Sequence, residues 1–186
     1  MPISSDQAAD ALGEVRRTAR RTSVLRGYSF AAPHFWLWGV VWLLGYAFSW
    51  WRPAAAGSFW TALDLVGFAG SALLARSASR RAARPAAQGV GRVMAMAATG
   101  VGFVVATYVI LAPHSGLQFA AFPPLVVAAI YTGVGIWQGL RWSIIGVVLA
   151  ALTVGGYLLW PDYFLPWMAL AGGGALLLTG WWLRHA

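Results

Sequence analysis

Six long apolar stretches alternate with short connections in this chain, and its cations fall almost entirely on every second connection. That alternation constrains the fold more than any motif does. A hydrocarbon layer about 30 Å thick is crossed by about 20 helical residues at ~1.5 Å rise each. The stretches 33–51, 58–75, 93–112, 117–138, 143–160 and 164–183 all approach that length. Inside hydrocarbon every backbone N–H and C=O must be paired within the protein, so only helices and closed barrels can span. Apolar runs of this length select helices.

Pro53, Pro113 and Pro161 mark three turns on one side, because proline cannot continue a helix interior without losing a hydrogen bond. The opposite side holds the N-terminal segment, the 76–92 loop, the turn Gly139–Trp142 and Arg184. All 13 cations are arginine. Arg16, Arg17, Arg20, Arg21 and Arg26 precede the first stretch. Arg76, Arg80, Arg81, Arg84 and Arg92 lie in one loop, and Arg141 and Arg184 fall on the same side. Only Arg52 lies across from them. Arginine-rich short loops mark the cytoplasmic side of a membrane protein. Dropping any one stretch would scramble the alternation.

The expected fold is therefore an all-α integral membrane protein. Six transmembrane helices form three antiparallel hairpins, with both chain ends cytoplasmic, in a bacterial inner membrane. Residues 31–186 would make the bundle. Residues 1–30 would form a separate cytoplasmic amphipathic helix, capped by Ser4 or Ser5, with Asp6, Asp10 and Glu14 leading and the arginines following. Ala8, Leu12, Val15 and Ala19 recur on one face of it, so it would lie on the membrane surface with arginine toward anionic headgroups. The stretch 33–51 is long enough to be retained as a span, not cleaved as a signal. The three hairpins also suggest a loose internal repeat, with GSALL at 70–74 and GGALL at 173–177.

Composition narrows the chemistry. Only 10% of the 186 residues are charged, against about 25% in a typical soluble domain. A net charge of +8 would suit nucleic acid, but membrane orientation predicts the same arginines in the same places. Nucleic acid is accordingly not expected as a partner. With no cysteine there is no disulfide, thiolate site or cysteine nucleophile. With no lysine there is no Schiff base and no phosphate-loop lysine. His34 and His185 both fall at the inner side and could meet there around a metal or tetrapyrrole, while His114 lies on the outer turn; none offers the pair at matched depth within the bundle that a transmembrane bis-histidine haem needs. No catalytic residue, metal or cofactor is expected, and an intramembrane enzyme ranks third among the readings.

Asp64 is the one ionisable residue placed well inside a stretch. A charge there is costly unless it faces protein or water. Thr61, Gly67 and Ser71 share its helix face, so it should point into the bundle, either as a hydrogen-bonded structural carboxyl or as an ion or proton site. Helix packing is expected at small residues, namely Gly67, Gly135 and Gly139, and Ala171 and Ala175 with Thr179. The same stripes would serve a homo-oligomer. Most of the 12 tryptophans should anchor at the wet–dry boundary.

The expected role is non-enzymatic: structural, regulatory or accessory. Arg16, Arg17, Arg20, Arg21, Arg80, Arg81 and Arg84 would form a basic surface for anionic lipid or for a membrane or cytosolic protein. The alternative is a small, oligomeric transporter or channel using Asp64.

Overall fold

The computed structural model describes residues 5–81 and 87–185. Among them it is helical almost throughout and contains no strand. Seven α-helices appear among the described residues: α1 (Ser5–Trp51), α2 (Ala56–Arg81), α3 (Ala87–Leu111), α4 (Gly116–Gln138), α5 (Leu140–Leu159), α6 (Phe164–Trp167) and α7 (Gly174–Arg184). A π-helical segment, Met168–Gly173, joins α6 to α7, so the last part of the chain runs as one rod. Four rods are long and apolar enough to cross a membrane: Pro53–Arg80, Gly116–Gln138, Leu140–Leu159 and Pro161–Arg184. The apolar part of α3 counted among the described residues is shorter, Ala98–Leu111.

The ends of the helices follow local chemistry. Pro53 and Pro161 open short 3-10 turns after α1 and α5. Ser115 caps α4 by accepting from the Gln118 amide at 3.2 Å, while the Gln118 side chain accepts from the His114 amide at 2.9 Å. The serine thus pairs one donor that a helix start would leave free, and the Gln118 side chain holds the residue that leads into the cap. Between α4 and α5 the chain turns on Gly139, whose φ of +119° is strained for any side chain.

The N-terminal segment differs from expectation. It is not a separate helix: α1 runs unbroken for 47 residues, with Pro33 inside it. At ~1.5 Å per residue this is a rod about 70 Å long. Packing explains the continuity, because Tyr28, Ala31, Ala32 and Phe35 are already buried on either side of the proline. Tertiary contact outweighs the one hydrogen bond that Pro33 removes. The rod enters the core near Val24, and the described side chains of residues 12–23 are exposed or half-buried.

From Val24 onward α1 is the element the others pack on. Trp42, Tyr46 and Phe35 are almost fully buried in the core it shares with Ile145, Leu149, Phe164, Met168 and Leu183. Small residues set the separations. A Cβ on Gly173 would stand 3.0 Å from the Leu43 amide nitrogen and 3.1 Å from the Gly39 carbonyl oxygen. One on Gly146 would stand 2.5 Å from the Ala128 carbonyl oxygen. Close backbone approach of this kind is how helices associate where lipid competes for apolar contact.

The outward faces carry large apolar side chains. Val109 is 77% exposed, Ile110 78%, Leu158 68% and Leu170 73%. Exposed aliphatic surface of this extent, on helix after helix, is what hydrocarbon surroundings tolerate and water does not.

Several tryptophans depart from the boundary role. Trp50, Trp51, Trp137, Trp160 and Trp181 are well exposed. Trp38, Trp60 and Trp167 instead donate inside the bundle: to Ser71 Oγ at 3.1 Å, Ser49 Oγ at 2.9 Å and the Leu152 carbonyl at 2.9 Å. An indole that fills a helix gap and finishes on an internal acceptor satisfies both halves of its chemistry.

Candidate functional site

Polar groups gather at the two ends of the bundle. At one end, Arg141 opens α5. Its guanidinium donates to the Trp182 carbonyl at 3.3 Å and lies 4.8 Å from the Trp182 ring centre and 5.5 Å from that of Tyr28. It thus satisfies one of the last carbonyls of α7 and ties α1, α5 and α7 together. Arg184 lies over Trp36 at 5.4 Å. Further out along α1, Arg16, Arg17 and Arg21 are exposed, as is Arg80 at the end of α2. Arg84, and the side chains of Arg20 and Arg81, lie outside the described residues. His34 and His185 each pair with a carbonyl of their own helix, Phe30 at 3.0 Å and Trp181 at 2.8 Å.

At the other end, α4 carries two consecutive prolines, Pro123 and Pro124. In an α-helix the amide of residue i bonds the carbonyl of i−4. Proline has no N–H, so the carbonyls of Phe119 and Ala120 lose their helical partners. Both are re-paired from other helices. Tyr108 of α3 donates to Phe119, and Tyr46 of α1 donates to Ala120 at 2.8 Å. Two tyrosine hydroxyls thereby replace two missing backbone amides.

Asp64 lies near this break. It is half-buried on the face of α2 that packs on α1, between Trp60, which meets the Tyr46 ring at 5.1 Å, and Gly67, buried against Trp38. Among the described residues Asp64 has no hydrogen-bond or ion-pair partner. The indole donors nearest along its helix face are already bonded to Ser49 and Ser71. Ser71 thus accepts from Trp38, while Thr61 is exposed and bonds its own helix at Gly57.

The small residues are distributed as follows. Gly67 and Gly135 are buried, the latter against Ser143; Gly139 forms the α4–α5 turn beside the Tyr28 hydroxyl. Ala171 and Ala175 are half-buried, while Gly172, Gly173, Thr179 and Gly180 are buried. Tyr46 and Tyr108 read in the sequence only as scattered polar groups. The signal that singles them out is the Pro123–Pro124 pair inside an otherwise regular span, which obliges two donors to come from elsewhere. Among the described residues no group of three or more His, Cys, Asp or Glu could hold a metal ion. No protein-family model, curated protein or solved structure matches this chain.

Proposed function

We propose that the protein spans a bacterial inner membrane six times, as three antiparallel hairpins with the arginine-rich end of the bundle in the cytoplasm. There it serves a non-enzymatic structural, regulatory or accessory role, binding anionic lipid or a protein partner. The observation that carries this reading is the joint placement of charge and apolar surface. Twelve of the 13 arginines fall on one side of the apolar stretches, and the helices between expose aliphatic side chains outward.

The continuous α1 adds a mechanism. A helix rooted in the bundle core from Val24 onward lifts Arg16, Arg17, Arg20 and Arg21 away from it as a basic stalk. Arg141 and Arg184, lying over aromatic rings, supply a second tier of charge close to the bundle. Each cation near an anionic surface contributes about 1 kcal/mol, and the attraction decays within a Debye length.

Association of the purified protein with vesicles and with co-purifying proteins tests this reading. Exchanging Arg16, Arg17, Arg20 and Arg21 together for Gln is expected to weaken binding to phosphatidylglycerol-rich vesicles by at least tenfold at low salt, with no change for neutral vesicles. Unchanged binding, together with an unchanged set of co-purifying proteins, contradicts it.

A further inference from the structure

We propose that Arg141, together with the Tyr28 hydroxyl, holds the phosphate of one phospholipid at the arginine-rich end of the bundle, where α1, α5 and α7 meet. The site deepens the anionic-lipid role and rests on the membrane reading given for it.

Arg141 is half-buried and has no counter-charge in the chain. A guanidinium carries five N–H donors. The Trp182 carbonyl accounts for one of them, at 3.3 Å. The rings of Trp182 and Tyr28 lie 4.8 and 5.5 Å from the guanidinium carbon, and neither is an acceptor of charge. The five acids are Asp6, Asp10, Glu14, Asp64 and Asp162. The first three precede Tyr28 on α1 by at least 14 residues, about 20 Å of helix. Asp162 opens the last rod, about 30 Å of helix before Trp182. Asp64 packs on the far half of α1, between Trp60, which meets Tyr46, and Gly67, which meets Trp38. A partly buried cation needs a partner for its charge and its donors. Here the anion has to come from outside the chain.

Tyr28 supplies the second group. The residue is 6% exposed, and among the described residues its hydroxyl has no hydrogen-bond partner. No buried polar atom is left unpaired, so this hydroxyl opens outward. It stands 2.9 Å from where a Cβ on Gly139 would be, at the α4–α5 turn two residues before Arg141. The guanidinium over the ring and the hydroxyl at the tip of that ring therefore meet the same turn. A guanidinium fork matches two phosphate oxygens, and the hydroxyl can donate to another.

The surroundings favour a lipid over free phosphate. Ile144 and Val148 follow Arg141 at i+3 and i+7, on the same face of α5, and both are exposed. At ~1.5 Å per residue they lie about 5 and 10 Å deeper along the helix. A phosphate held at Arg141 would leave its acyl chain along this aliphatic strip. Trp182 and Tyr28 are amphipathic rings of the kind that sit at headgroup level.

The test is native mass spectrometry of the full chain in detergent micelles, titrated with phosphatidylglycerol, with diacylglycerol of the same acyl chains, or with inorganic phosphate. One phosphatidylglycerol per chain is expected to be retained at concentrations where the other two are not. Arg141→Gln should weaken retention by about tenfold or more. Tyr28→Phe keeps the ring under the guanidinium and should weaken it by about threefold. If Arg141→Gln fails to fold, Tyr28→Phe and wild type still decide. The variant with Arg16, Arg17, Arg20 and Arg21 exchanged for Gln should keep the bound lipid in full while losing vesicle binding.

Several results would overturn the site. Wild type could retain no phosphatidylglycerol, or as much diacylglycerol. Arg141→Gln or Tyr28→Phe could keep full affinity. Inorganic phosphate could displace the lipid, which would make this a free-anion site. Loss of the lipid in the four-arginine variant would assign it to the basic stalk. Vesicle binding that persists while wild type retains no lipid would sink this site alone, whereas loss of both would take the membrane-surface reading with it.

Discussion

At the scale of single residues, the pairing of two prolines with two tyrosines makes the sharpest prediction. Tyr46→Phe should destabilise the protein by about 1–3 kcal/mol, the cost of a buried carbonyl without a partner. In a Pro124→Ala background the amide of residue 124 returns to the Ala120 carbonyl, so the same Tyr46→Phe change should cost far less. A double-mutant cycle read by reversible unfolding in detergent measures the difference. Equal costs in both backgrounds would separate the hydroxyl from the proline. The sequence marked neither tyrosine for this role, since the relevant spacing runs from residue 46 to residue 120 and only tertiary structure supplies it. The Pro123–Pro124 pair is a local fact of the sequence, but the reading of 117–138 as one apolar stretch drew nothing from it.

At the scale of helices, local chemistry made the ends legible and packing hid the rest. The expected span 117–138 matches α4, Gly116–Gln138, because Ser115 caps one end and Gly139 turns the chain at the other. The expected break near residue 30 is absent, since nothing in residues 26–32 forbids helix and the core supports it across Pro33. The packing stripe of the last rod was drawn through Ala171 and Ala175, but its close approaches to the α1 backbone lie at Gly173 and Gly180. Small residues crowd that segment, and the sequence cannot choose which face turns inward. Gly173 and Gly174 therefore make a paired test. Gly173→Ala places a methyl against the α1 backbone, which cannot yield cheaply, and should cost about 1–3 kcal/mol. Gly174→Ala enters open space and should be neutral or stabilising by up to about 1 kcal/mol. Unfolding midpoints of the two variants check the contrast, and the reverse order would mean that α1 and the last rod do not meet as described.

At the scale of the whole molecule, one claim supports the rest: the chain crosses a bilayer six times, with its arginines held on the cytoplasmic side. The helical character and four of the long apolar rods stand in the structure, while the crossing and its direction are the reading proposed here. The absence of cysteine makes the direct measurement simple. Single cysteines are introduced at Ala54, Ser115 and Asp162 on one side, and at Ser23, Ser79 and His185 on the other. Intact cells are then treated with a membrane-impermeant maleimide, before and after permeabilisation. The account predicts that the first three label in intact cells and that the second three label only once the membrane is opened. Labelling at Ser79 in intact cells, or failure at Ser115 while Ala54 reacts, would contradict it.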